Sequence, residues 1–195
     1  EIMPSLVGSE MCIRDSPIPL LAGLLGALPD LCRQVAPKGL LLYTPVGFQA
    51  GGYNFGVSPG AGSLALTLRA DRQQDIAALV QAMSAWLTAR LPQGMSLSLE
   101  DRDVFPDTTN HAPFVDAGAA ILKQAGLSPR FLDAPMRWSE DFGHFLRAFP
   151  GFYLGLGAGE SQPGLHTPGY RFNDALLGPG LDVLWALAQG LMPPG

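Results

Sequence analysis

The stretch Ser63-Leu-Ala-Leu-Thr-Leu-Arg69, taken with the residues up to Leu99, decides the fold. Its leucines alternate with small or polar residues, which is the period of a strand with one buried face. Between Ile76 and Leu87 the apolar residues recur at helical spacing, and Asp71-x-x-Gln74 has the pattern of a capping box in front of them. Met95-Ser-Leu-Ser-Leu99 alternates again. The order predicted here is strand, helix, strand.

The residues upstream extend this pattern. A leucine-rich run over 17–37 has one apolar helical face, and Pro29 predicts a kink or a second short helix there. Strands are predicted around 40–47, 62–69 and 95–101, so residues 17–104 give the order α-β-β-α-β. An α+β layer of the ferredoxin-like βαββαβ type with its first strand missing has this order.

The downstream part, 105–195, alternates helices with strands and is typical of the α/β class. Helices are predicted over 113–126, from Ser139 to about 149, and after a cap at Asn173. Short strands are predicted at 130–134 and 152–156, the second buried on both faces. This part is too small to close a sheet of its own.

The amino-terminal residues fit no regular element. Residues Leu6–Ser16 match one reading frame of a transposase adapter used in sequencing libraries, over eleven consecutive positions. We therefore expect residues 1–16 to be an artefact of sequencing and to be disordered. On that hypothesis the chain is a carboxy-terminal fragment of a longer protein.

Composition excludes several classes of protein. The net charge of −5 argues against a nucleic-acid partner, and no continuous apolar run reaches the ~20 residues of a membrane span. The sequence thus predicts no nucleic-acid and no membrane partner. Two cysteines cannot build a disulfide framework or a cysteine-rich zinc site.

The residues most suited to catalysis or ligand binding lie near the carboxyl end of the chain. Gly155-Leu-Gly-Ala-Gly159 follows an apolar segment, and Leu165-His-Thr-Pro-Gly-Tyr-Arg-Phe-Asn-Asp174 follows in turn. A glycine run with one histidine is weak evidence by itself. Because no helix starts at the end of the glycine run and no Lys-Ser or Lys-Thr pair follows it, a phosphate-binding loop is the weakest alternative.

Together with Ser139-Glu-Asp-Phe142, these segments resemble the carboxy-terminal signature of the M20 metallopeptidase family. The similarity is greatest to its amidohydrolase branch, which includes aminoacylases, hippurate hydrolases and auxin-conjugate hydrolases. Gly51-Gly52, Phe55-Gly-Val-Ser-Pro59 and Thr67-Leu-Arg69 resemble that family's lid. The resemblance implies a lid/dimerisation domain over 17–104. It also implies that 105–195 is the carboxy-terminal part of an αβα zinc-peptidase-like catalytic domain.

The resemblance also implies roles for single residues. His166 matches the carboxy-terminal metal ligand of a site for two divalent ions, zinc or manganese. Arg69 matches a substrate-binding position of the lid and would hold a carboxylate, the alternative being a strand-end arginine in solvent. Asn54 is the second candidate for substrate binding, two residues before the lid position at which many members have Asn. No catalytic residue is expected in this chain, since the family's general base and remaining ligands lie in an amino-terminal segment. We therefore expect the fragment alone to be inactive.

Two departures from the family pattern bear on substrate preference. Arg171 stands where the branch has Asp, and Gly56 stands at the lid position where many members have Asn, with Asn54 nearby. The resemblance further implies a small acylated amino acid or peptide as substrate and a cytoplasmic protein. It implies a homodimer formed through the strand ending at Arg69 or the helix 73–91. The alternative is a non-catalytic α+β dimerisation or binding module.

Overall fold

The computed structural model describes residues 16–36, 39–52, 55–138 and 140–192, and the backbone of residues 2–7. The chain divides into two compact units. Unit 1 comprises residues 1–107 and 136–139, and unit 2 comprises residues 108–135 and 140–195. The division between Asp107 and Thr108 lies close to the boundary predicted at 104/105.

Unit 1 is a four-stranded antiparallel sheet with two helices. Its elements in chain order are β1 (Ile2–Val7), α1 (Pro17–Val35), β2 (Leu41–Ala50), β3 (Ala61–Ala70), α2 (Gln73–Thr88) and β4 (Ser96–Asp101). The strand order is β2-β3-β1-β4, so β1 and β3 are central and β2 and β4 are edges. This is the ferredoxin-like βαββαβ arrangement that the sequence predicts, with helices and strands in a mixed α/β fold.

The first strand of this arrangement, which we expected to be missing, is present. The strand β1 pairs with β3 and along its whole length with β4, from Ile2 opposite Asp101 to Val7 opposite Ser96. The prediction of a disordered segment over 1–16 is therefore wrong for Ile2–Val7, while residues 8–15 lie outside the described part. Pairing on both sides forms this strand although its sequence has no alternating period, because tertiary context overrides local preference.

The core of unit 1 lies between the helices and one sheet face. Among the described side chains, eleven buried residues form it: Leu20, Leu21, Leu24, Leu28 and Leu31 on α1, Leu64 and Leu66 on β3, Leu79, Met83 and Leu87 on α2, and Met95 before β4. Leu64 and Leu66 face this core, as their alternation predicts.

Helix α1 is continuous through Pro29, so the predicted kink does not divide it into two helices. Ser16 caps it by accepting a hydrogen bond from the Ile18 amide at 3.3 Å. By length and mean hydropathy, 1.2 over eighteen residues, α1 would suffice to cross a membrane, contrary to the expectation that no run is long enough. One face of α1 packs into the unit 1 core, which is also the pattern of a core helix in a soluble protein.

Helix α2 begins differently from the capping-box prediction. Its N-cap is Arg72, whose side chain makes no capping hydrogen bond to the backbone of the first turn. Instead the Arg72 guanidinium binds the buried carboxylate of Asp75, with Nε–Oδ2 and Nη2–Oδ1 distances of 3.0 and 3.2 Å. The acidic residue that serves this helix end is therefore Asp75, not Asp71.

Unit 2 consists of three helices and long connecting segments. They are α3 (Ala112–Gln124), α4 (Gly143–Ala148) and α5 (Leu177–Leu191), the last preceded by a 3₁₀ turn at Asp174–Leu176. Leu122, Val183 and Leu187 form a small core between α3 and α5. Gly126 ends α3 with φ +77° as predicted, and the Leu127 amide bonds to the Leu122 carbonyl at 2.9 Å, which is a Schellman motif.

Both short strands predicted in unit 2 are wrong. Segments 130–134 and 152–156 form no strand with any described residue, because a strand needs a partner and the described part of unit 2 contains none. The predicted helix up to about 149 is limited to α4, and its predicted cap, Ser139, lies outside the described residues. Asn173 caps as expected, since its Oδ1 accepts from the Ala175 amide at 3.2 Å.

Helix α5 is apolar on two faces. Val183 and Leu187 face the unit 2 core. Leu177, Leu181, Leu184 and Trp185 lie on another face at i, i+4, i+7 and i+8, and each is between 63% and 67% exposed. A helix that is apolar nearly all round is normally buried on all sides.

Candidate metal and substrate site

His166 lies in a tight turn with an unusual backbone conformation. The Thr167 amide donates to the Gly164 carbonyl at 3.2 Å, which closes a β-turn with His166 at its third position. His166 has φ +65°, a left-handed value that glycine adopts freely and other residues rarely do. Such strain concentrates at functional sites, where the side chain is needed despite its backbone cost.

Hydrogen bonds on both sides of His166 hold the turn. The Thr167 hydroxyl donates to the Gly164 carbonyl at 2.7 Å, and the Tyr170 amide donates to the Thr167 carbonyl at 3.0 Å. Leu165, the second residue of the turn, is 65% exposed, so its burial does not anchor this loop. The turn is fixed by its own hydrogen bonds instead, and the His166 ring is exposed.

Side-chain amides fix the segments around this turn. Asn173 Nδ2 donates to the Ala158 carbonyl at 3.5 Å, and Gln162 Nε2 donates to the Arg171 carbonyl. Asn110 bonds to Tyr153, upstream of the glycine run, through both atoms of its amide. Sequence reasoning missed Asn110, because an asparagine before a helix carries no signal of a contact forty-three residues away.

Arg69, near the end of β3, is exposed and donates from Nη1 to the backbone carbonyl of Arg137 at 2.9 Å. This bond holds residues 136–139 on unit 1, a role that the sequence did not indicate. A guanidinium has five N–H donors, so the bond still leaves donors for a carboxylate. Asn54, the other predicted substrate-binding residue, lies outside the described residues. Gly56 has φ +89°, which explains why glycine suits this position of the loop between β2 and β3.

One titratable group of unit 2 is clearly perturbed. Burial raises the pKa of the Tyr153 phenol, and the nearby Glu140 carboxylate raises it further by its charge and by a hydrogen bond, with a smaller contribution from Asp141. The Tyr153 ring also contacts Phe142, with ring centroids 5.1 Å apart. A neutral phenol beside two carboxylates is therefore a stable feature of this surface at neutral pH.

The described residues contain no clustered set of metal-ligating side chains. No three His, Cys, Asp or Glu side chains among them are grouped closely enough to hold an ion. His144 is exposed on α4, and the ring of His111 is half-buried against Gly151. The exposed imidazole of His166 fits a single position of a metal site, with any further ligands coming from elsewhere.

The sequence from residue 11 to residue 190 matches the family model described as peptidase family M20/M25/M40. The chain belongs to this family. No curated protein matches the M20 chain. The match covers both units and includes Arg69 and His166.

Solved structures have the same fold as the M20 chain. One, described as an aminohydrolase from methicillin-resistant Staphylococcus aureus, superposes with a TM-score of 0.76 at 19% identity, covering 96% of this chain and 51% of that one. The YXEP protein of Bacillus subtilis, a dinuclear metal binding peptidase from the M20 family, gives 0.75 at 16% identity, with 96% and 48% covered. Aminopeptidase PepT of Bacillus cereus gives 0.67 at 13% identity, with 95% and 50% covered.

The M20 chain thus spans about half the length of these solved structures. It has the fold of a hydrolase of the M20 peptidase family. The resemblance that the carboxy-terminal motifs indicated is therefore confirmed.

Proposed function

We propose that unit 1 is the lid/dimerisation domain, and unit 2 the carboxy-terminal part of the catalytic domain, of a metal-dependent amidohydrolase. The complete enzyme cleaves the amide bond of an N-acyl amino acid or a small peptide. The observation that carries this proposal is the backbone of His166. A histidine with φ +65° in a hydrogen-bonded turn, inside a segment that matches the family, is best explained by a need for its imidazole.

His166 is the residue of this chain that would hold a metal. Its imidazole would hold one of two divalent ions, zinc or manganese, and such ions would supply an activated water and polarise the amide carbonyl. The description of the YXEP protein as dinuclear supports two ions. The turn bonds of Gly164 and Thr167 restrict the direction of the ring and so reduce the entropy lost when it binds.

Arg69 and Asn54 are the proposed substrate-binding residues. Arg69 is exposed and presents a guanidinium that can bind a substrate carboxylate by two parallel hydrogen bonds. Its bond to the Arg137 carbonyl would restrict its side chain and orient the remaining donors. For both residues the support is the resemblance of the lid segment.

The proposal makes this chain incomplete as a catalyst. The described residues provide no set of three ligands, and the chain spans about half of its solved relatives. The exposed apolar face of α5 supports packing against a further part of the catalytic domain. We therefore propose that the 195-residue chain alone does not hydrolyse N-acyl amino acids.

The proposal includes a homodimer formed through the lid, in the cytoplasm. Strand β3, which ends next to Arg69, cannot pair edge to edge, because β2 and β1 already occupy both its sides. This structure corrects that half of the sequence prediction. The outer surface of α2 remains as the proposed contact, and sedimentation at micromolar concentration would test the dimer.

The rival function is a non-catalytic dimerisation or binding module, which the lack of a complete ligand set among the described residues favours. The deciding experiment uses the protein completed by its upstream coding sequence. Bound metal per protomer is measured for the completed protein, for H166A and for the control H144A, which removes an exposed histidine of α4.

We expect two ions in the completed protein and in H144A, and loss of metal and most turnover in H166A. Full metal content and turnover in H166A would refute the assignment of His166. A completed protein that binds no divalent metal would favour the rival function.

A further inference from the structure

Two adjacent side chains before α3 bond to the backbone of segment 151–153. Asn110 Nδ2 donates to the Tyr153 carbonyl at 3.1 Å, and the Tyr153 amide donates to Asn110 Oδ1 at 2.7 Å. The backbone amide of His111 donates to the Gly151 carbonyl at 3.0 Å, and its Nδ1 lies 3.2 Å from the Gly151 amide. The start of α3 thus holds two residues of the extended segment.

Asn110 reproduces with its side chain the bonding of a β-strand residue. In a hydrogen-bonded pair of antiparallel strands, one residue exchanges both of its backbone bonds with the residue opposite. Tyr153 receives the same pair of bonds from one carboxamide. At neutral pH, a side-chain amide offers an adjacent neutral donor and acceptor, whereas a carboxylate offers acceptors alone.

The position of Tyr153 gives this bond its significance. Tyr153 lies two residues before the glycine run 155–159, which leads to the His166 turn. On the far side of the glycine run, Asn173 bonds to the Ala158 carbonyl, and Gln162 bonds to the Arg171 carbonyl. The backbone that carries His166 is therefore fixed at its entry by Asn110 and at its exit by two further amides.

We infer that Asn110 is a positioning residue for the His166 loop, acting through the backbone of Tyr153. The inference rests on the proposed role of His166 as a metal ligand. Asn110 itself has no part in binding metal or substrate. Its contribution is to define where the glycine run begins, in a segment that pairs with no strand among the described residues.

The test is hydrogen exchange on the 195-residue chain with N110D. The introduced carboxylate keeps the acceptor for the Tyr153 amide but turns a second oxygen lone pair towards the Tyr153 carbonyl. We expect the protection of the hydrogen-bonded amides of Tyr153 and Thr167 to fall by about tenfold. The core amides of Leu122 and Leu187 keep their protection. The control D116N makes the reverse change at an exposed position of α3 and leaves all these amides unchanged.

Acid provides a specific rescue. At about pH 3 the introduced carboxylic acid is protonated, since its ordinary pKa is about 3.9, and its O–H can donate to the Tyr153 carbonyl. The protection of these amides in N110D should then return towards their protection in the unmodified chain at the same pH. A general loss of stability would not be restored by protonating this one group.

Unchanged protection at Tyr153 in N110D would overturn the inference, as would an equal loss at Leu122 and Leu187. If N110D does not fold, a measurement on the unmodified chain tests the inference instead. The side-chain amide protons of Asn110 should exchange at least tenfold more slowly than those of exposed Gln189, and equal rates would refute the bond. None of these measurements depends on bound metal. The bond between Asn110 and Tyr153 is therefore tested even if His166 proves not to be a metal ligand.

Discussion

The backbone of His166 predicts an unusual order of stability among its variants. At φ +65° an L-residue has a cost of about 1–2 kcal/mol that glycine does not have. H166A keeps this cost and removes only an exposed ring, so its free energy of unfolding should stay close to that of the unmodified chain. H166G removes the cost but adds about 0.4–1 kcal/mol of unfolded-state entropy.

The net expectation is that H166G is more stable than H166A by about 0.5–1 kcal/mol. For a chain of this size, that difference corresponds to a rise of about 1–4 °C in Tm. Were His166 at an ordinary negative φ, the order would reverse, because glycine would then contribute only its entropy cost. The sign of the difference therefore reports the backbone conformation.

Thermal and urea unfolding monitored by circular dichroism would measure these differences. G126A is the matched control: Gly126 has φ +77° with no atom within 4 Å of an added Cβ, so by the same balance of backbone cost and unfolded-state entropy it should lose about 0.5–1 kcal/mol. If H166A equals or exceeds H166G while G126A loses stability, the strained turn is absent in solution. The argument from strain to a ligand would then fail.

Three further predictions follow from packing and charge. An added Cβ at Gly118 would lie 2.4 Å from the Phe152 ring, so G118A should lower the free energy of unfolding in urea by about 1–3 kcal/mol. The control G178A has open space around the added Cβ and should not lower it. Leu24 is fully buried in unit 1, so L24A should cost about 2–5 kcal/mol, and a loss below 1 kcal/mol would contradict the described core. E140Q should lower the raised pKa of Tyr153, as read from phenol absorbance with Y153F as reference. Because the folded chain holds this proton more tightly than the unfolded chain, stability should fall as the pH rises through the raised pKa, and less steeply in E140Q.

The elements of unit 1 were predictable because each has its own hydrophobic period. Leu64 and Leu66 alternate on a strand, and Leu79, Met83 and Leu87 repeat on a helix, so local pattern and tertiary packing agree. β1 was not predictable, because its sequence lacks a period and its pairing with β3 and β4 determines it. The prediction that Asp71 caps α2 was wrong. The carboxylate at this end of the helix is that of Asp75, which binds Arg72.

Unit 2 was less predictable, since its segments depend on partners. Segment 152–156 has a strand composition but no strand beside it, and Asn110 takes the place of one at Tyr153. The family resemblance predicts a role for His166, which stays a prediction, but histidine gives no sign in the sequence of a left-handed backbone as glycine would. The bond from Arg69 to Arg137 joins positions sixty-eight residues apart, and no local pattern reports such contacts.

The outer face of α5 has a practical consequence for handling this chain. Leu177, Leu181, Leu184 and Trp185 form a continuous exposed apolar surface along a folded helix. The native chain should therefore bind dyes such as ANS without being a molten globule. With a net charge of −5, electrostatic repulsion between molecules is modest and weakens further in salt. Purified alone, the chain should precipitate as its concentration rises. Replacing these four residues with glutamates should keep it in solution without altering its melting behaviour.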